Sequence, residues 1–141
     1  VELERGDVRV AVLAGNSAAI RAGSGPGLPY PSRASASLRR AVTAYDANPA
    51  AAGALDAVLA ATDRQSTITL WHLLQRESPA ARARVYERLA SLAPPPASVT
   101  RDRVLRGESD ALQRWRTELQ PEWVTEPPRW KHLLNNLRRL R

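Results

Sequence analysis

Proline and cap residues cut this chain into short pieces, and that punctuation constrains the fold more than any other feature. Asn48-Pro49, Ser78-Pro79 and Pro94-Pro95-Pro96 each stop a helix from running through. Between the breaks, apolar residues recur at helical spacing: Leu38, Val42 and Tyr45; Leu55, Val58 and Leu59; Leu70, Trp71 and Leu74; Val85, Leu89 and Leu92. Val104 and Leu105 mark a short fifth stretch, and Leu112, Trp115 and Leu119 a sixth. The expected caps are Asn48 with Pro49 at the first helical position, Ser66 or Thr67, Ser78 with Pro79, Thr100, and Ser109. This predicts a mainly α fold: about six short helices over residues 33–120, in an irregular array or a series of helical hairpins. No repeat of fixed period is evident.

Two segments flank that helical region. In Asp7-Val8-Arg9-Val10-Ala11-Val12 the valines alternate, as in a half-buried strand. Ala14-Gly15-Asn16-Ser17 supplies turn chemistry, and Ala18-Ala19-Ile20-Arg21-Ala22 is the expected return strand. Residues 1–22 are therefore read as a β hairpin, which needs something to pack on because two strands alone are marginal in water. Residues 23–32, with Gly-Ser-Gly-Pro-Gly-Leu-Pro-Tyr-Pro at 23–31, are read as a linker or extended arm. A phosphate loop is not supported, because no Gly-Lys-Ser/Thr follows the glycines.

The final segment, residues 121–141, is read as a basic docking tail. Trp130, Leu133, Leu134, Leu137 and Leu140 fall on one continuous helical stripe, with Lys131, His132, Asn135, Asn136, Arg138 and Arg139 facing away. Most of the net charge of +7 sits in residues 129–141: Arg129, Lys131, Arg138, Arg139 and Arg141 stand there without an acid and give +5, against +2 for the rest of the chain. A charge excess gathered at one end favours a docking segment over a DNA reader, whose basic face runs through its fold.

The residues for chemistry are scarce. The chain has no Cys, so it has no disulfide framework, thiolate metal site or cysteine nucleophile. It has two histidines, His72 and His132, each read as a solvated or boundary side chain. No metal, nucleophile-elbow or calcium-loop motif occurs, no apolar run reaches the ~18 residues of a membrane span, and no catalytic residue, cofactor or metal is expected. Trp71 and Trp115 sit at core spacing. Trp123 and Trp130 are read either as a flap sealing the body, as partner anchors, or as membrane-interface residues. The chain contains no Met, so its first residue is expected to follow a removed leader or a cut in a longer chain.

Several stretches carry a family likeness: Ile68-Thr69-Leu70-Trp71-His72-Leu73-Leu74, Arg84-Val85-Tyr86-Glu87-Arg88-Leu89-Ala90 and Pro94-Pro95-Pro96-Ala97-Ser98-Val99-Thr100-Arg101. With them, the chain resembles the C-terminal helical region of bacterial FecR-domain-containing proteins over residues 3–119. Gly6-Asp7-Val8-Arg9-Val10 and Ala18-Ala19-Ile20-Arg21-Ala22-Gly23 resemble the last hairpin of the FecR-type domain. The resemblance implies a periplasmic or peripheral envelope location and does not extend to residues 120–141. The expected function is a non-catalytic accessory or structural subunit docking onto a larger membrane-associated complex through its arm and tail. The contacts would be Trp123, Trp130, Leu133, Leu134, Leu137, Arg138, Arg139 and Arg141, with acidic lipid as an additional surface. The alternatives are a FecR-type periplasmic signalling domain and, less favoured, a basic nucleic-acid binder.

Overall fold

The computed structural model describes residues 2–5, 8–20 and 25–124, with the backbone alone for residues 2–5 and 8–11. As expected, it is mainly helical behind a short antiparallel hairpin. β1 (Glu2–Arg5) pairs with β2 (Val8–Ala11), with Leu3 opposite Val10. A second ribbon joins β3 (Asn16–Ser17) to β4 (Tyr30–Pro31). The expected return strand at 18–22 is not seen over its described residues, 18–20. Val8–Ala11 turns back on the residues before it, and Asn16–Ser17 is taken by the proline segment instead. Gly15, at φ 86°, allows this reversal, and its carbonyl accepts from Ser32 N–H at 2.8 Å.

Six helices follow: α1 (Ala36–Ala47), α2 (Ala54–Ala61), α3 (Thr67–Arg76), α4 (Pro79–Leu92), α5 (Arg101–Leu105) and α6 (Ser109–Trp123). α1 packs on α2, and α3 packs on both α4 and α6. Ser35 caps α1 by accepting from Leu38 N–H, and Pro79 occupies the first turn of α4. Two start signals differ from expectation. Asn48 closes α1 but does not open α2, which begins five residues later at Gly53 (φ 76°), where the first side chains with a core to enter, Ala54 and Val58, appear. Glu108, not Ser109, is the N-cap residue of α6, and its carboxylate pairs with Arg103 and Arg106.

One apolar core runs through all six helices, with Leu38, Val42, Val58, Ile68, Leu70, Leu74, Val85, Leu89, Val104 and Trp115 nearly or fully buried. Trp71 and Trp115 are the core anchors that their spacing predicted; Tyr86 meets the Trp115 ring edge-on at 5.5 Å. Arginines close helix ends. Arg88 donates to the Leu59 and Thr62 carbonyls at the end of α2, and Arg82 donates to the Leu105 carbonyl of α5.

The proline/glycine segment is a correction to the expected arm. Pro26, Gly27, Leu28 and Pro29 are buried, and Leu28 is wholly inaccessible. Asp46 of α1 accepts from Leu28 N–H at 3.0 Å, Thr69 of α3 donates to the Pro29 carbonyl at 2.8 Å, and Arg76 donates to the Pro26 carbonyl at 3.1 Å. Leucine burial drives the segment inward, and polar side chains from two helices satisfy its backbone. Over residues 26–29 it is part of the body and not an extended arm.

Candidate functional site

The body ends in a clamp on Trp123. Its indole is 3% exposed, lies 6.1 Å from the Trp71 ring and donates its N–H to Thr67 Oγ1 at 2.9 Å. Thr67 opens α3 behind a single 3₁₀ turn, Arg64–Ser66, held by a capping box in which Asp63 and Ser66 bond each other reciprocally. From the other side, Asn16 Nδ2 donates to the Trp123 carbonyl at 2.7 Å. Arg64 pairs with Glu122 at 2.9 Å, an exposed ion pair that solvent screens. α6 passes through Pro121 to reach this clamp. Proline forfeits one backbone bond near the helix end, and burial of a whole indole outweighs that loss.

Beside the clamp lies a groove of about 770 Å³. The Gly15-Asn16 turn, the Pro31–Ser35 strand-to-helix junction, the Asp63–Ser66 turn and the Glu122–Val124 end of α6 form its walls. Its lining is mixed, with Leu38 and Pro31 beside Asp63, Glu122 and Arg33. Val124, 42% exposed, stands at its rim as the last described residue.

The expected partner contacts therefore divide. Trp123 packs into the body and is not presented to a partner, which corrects its assignment as a docking residue. It also moves the end of the helical domain from residue 120 to Trp123. Trp130, Leu133, Leu134, Leu137, Arg138, Arg139 and Arg141 lie outside the described residues. Of the residues that place the tail's root, Asn16 and Thr67 were legible only as a turn residue and a helix cap, and Asp63 carried no signal. The four-residue spacing of Trp115, Leu119 and Trp123 is the sequence signal that would have carried the helix on to the clamp.

The titratable groups with strong perturbations serve the fold. Burial and a hydrogen bond to Glu77 push the Tyr45 hydroxyl well above its usual range. Burial first, then the charges of Arg76 and Arg116, push His72 down to about 4, so it is a neutral side chain at physiological pH. Arg103, hydrogen-bonded to both Glu108 and Asp110, holds their carboxylates below the ordinary range. Among the described residues, no group of three His, Asp or Glu side chains is placed to hold a metal ion, and no helix is long and apolar enough to cross a membrane. No family model matches the chain, and neither a curated protein nor a solved structure matches it.

Proposed function

We propose that this chain is a non-catalytic interaction module whose helical body presents a basic C-terminal segment to a larger, membrane-associated assembly. One observation carries the reading: Trp123 is bolted into the core just ahead of residues 129–141, which hold Trp130, the leucine stripe and five cations without an acid. An anchored root lets the segment bind without dragging on the body. Leu133, Leu134 and Leu137 would bury against the partner, and Arg138, Arg139 and Arg141 would pair with acidic side chains or phospholipid headgroups. The envelope setting is the one implied by the FecR resemblance. With residues 26–29 buried, this reading places docking on the tail alone.

The test compares the full chain with R138S/R139S/R141S and L133A/L134A/L137A variants in mild-detergent native extracts of the source cells. The full chain is expected to co-migrate with a defined membrane complex, and each triple variant to run free with unchanged circular dichroism. A full chain that also runs free overturns the reading. Binding to anionic vesicles, weakened by salt, distinguishes a headgroup surface from a protein partner.

A further inference from the structure

We propose that the junction of α3, α6 and the buried proline segment binds a small, freely diffusing tetrahedral dianion, a sulfate, phosphate or phosphomonoester, through Arg116, Arg76 and His72. Thr69, His72 and Arg76 fall at i, i+3 and i+7 on α3, so they share one side of that helix. Two of the three reach the proline segment. Thr69 donates to the Pro29 carbonyl at 2.8 Å, and Arg76 Nη2 donates to the Pro26 and Gly27 carbonyls at 3.1 and 3.3 Å. His72, half-buried, stands between them on that side. α6 packs on α3 and brings Arg116, also half-buried, to the same imidazole. Arg116 Nε is buried and has no acceptor among the described residues.

The charges at this junction call for an anion. Arg76 and Arg116 are the charges that act on His72, and both are cations. Asp46 offsets part of the Arg76 charge, whereas Arg116 enters no ion pair among the described residues. Burial, and after it the two guanidinium groups, hold the His72 pKa down to about 4. A dianion among these groups reverses the electrostatic part: it attracts each guanidinium and favours the imidazolium. The donors suit an oxyanion. A guanidinium presents its N–H groups in a fork that matches sulfate or phosphate oxygens, and Arg76 keeps Nε and Nη1 beyond the Nη2 that the carbonyls occupy. The neutral imidazole adds one N–H. Half-burial also shields these charges from screening by salt. The site does not involve the tail, so its failure leaves the docking reading standing.

Sulfate is the probe, because it stays a dianion throughout the range in which a histidine titrates. In the full-length H132Q variant His72 is the one histidine left, so its ring carbons can be followed by NMR from pH 7.5 down to 4.5. Spectra are compared in sodium sulfate and in sodium chloride of equal ionic strength. Sulfate is expected to raise the His72 midpoint from about 4 to about 5 or above, and chloride to leave it in place. R116Q, added to the same chain, is expected to lose the sulfate effect with unchanged circular dichroism. The absence of a sulfate-dependent rise overturns the proposal, as does a rise that chloride reproduces or that survives R116Q. At pH 7.5, inorganic phosphate is expected to raise the thermal midpoint of the parent more than that of R116Q. Protection by phosphatidic acid vesicles where inorganic phosphate gives none overturns the assignment to a free ion.

Discussion

His72 sets the most specific test of the packing. It stands on α3, partly buried, with Arg76 on its own helix and Arg116 on α6 as the charges that oppose its protonation. Its pKa falls to about 4, against about 6.5 in the unfolded chain. The unfolded state therefore takes up a proton between those values while the folded state does not. Stability is complete above pH 6.5, declines as the pH falls toward 4, and is fully forfeited below that. A gap of about 2.5 units corresponds to roughly 3 kcal/mol, reduced to about 2–3 because the ring is partly exposed. His72→Gln keeps a neutral polar side chain of similar length and removes the titration. Urea unfolding followed by tryptophan fluorescence at pH 7.5, 5.5 and 4.0 should show the wild type losing about 2–3 kcal/mol more than the variant across that range. The carboxylates of Glu108 and Asp110, lowered by Arg103, titrate in both proteins and cancel in the difference. Because burial is the leading cause, added salt should recover only a small part of the loss. Parallel pH profiles for the two proteins would refute the placement of His72 as a buried neutral side chain.

Four further outcomes follow from particular contacts. Trp123→Phe removes the indole N–H from Thr67 and should cost about 2–3 kcal/mol; Trp115→Phe should cost about 1 kcal/mol less, because the buried Trp115 N–H has no acceptor to lose. Thr67→Val, which leaves the Trp123 N–H unpaired, should cost about 1–3 kcal/mol in the same unfolding assay. Gly27→Ala places a methyl 2.4 Å from Asp46 Oδ2 and drives that carboxylate off Leu28 N–H, for a loss of about 1–3 kcal/mol by thermal or urea unfolding. Gly53→Ala meets open space, so only its left-handed backbone (φ 76°) opposes it, and the cost should be about 1 kcal/mol.

The helices were legible because their signals are local. Proline geometry, cap chemistry and apolar spacing act within a few residues, and they placed the end of α1, the starts of α3 and α5 and both ends of α4 within a residue or two. The start of α2 was misread because Asn48-Pro49 satisfies every local rule for a helix start. What delays the helix is the absence of any side chain to bury before Ala54. The β pairing was misread for a related reason. Val8–Ala11 reads as a strand, but alternation does not say which neighbour it pairs with. The candidate site was legible in half. Charge and the leucine stripe marked the segment beyond residue 125, while its root depends on Asn16 and Thr67 meeting Trp123 across 107 and 56 residues of chain. No local pattern encodes that meeting.

The same limit explains why the proline/glycine segment looked like a free arm. Its composition reports that it cannot join a helix or a sheet interior, and says nothing about exposure. Proline in fact makes burial easier. Pro26 and Pro29 have no backbone N–H to satisfy, so the segment enters the core with two donors, and both are met: Gly27 N–H by the Ala19 carbonyl at 2.9 Å and Leu28 N–H by Asp46. Arg76 and Thr69 supply donors to the carbonyls of Pro26, Gly27 and Pro29. With that backbone accounted for and Leu28 filling the core, residues 26–29 belong to the body. Trp123 is absorbed in the same way, by one ring contact and one hydrogen bond. Two of the features that made the chain look like a collection of docking elements are thus spent on its own stability, and the weight of the interaction reading moves onto Trp130 and the cations that follow it.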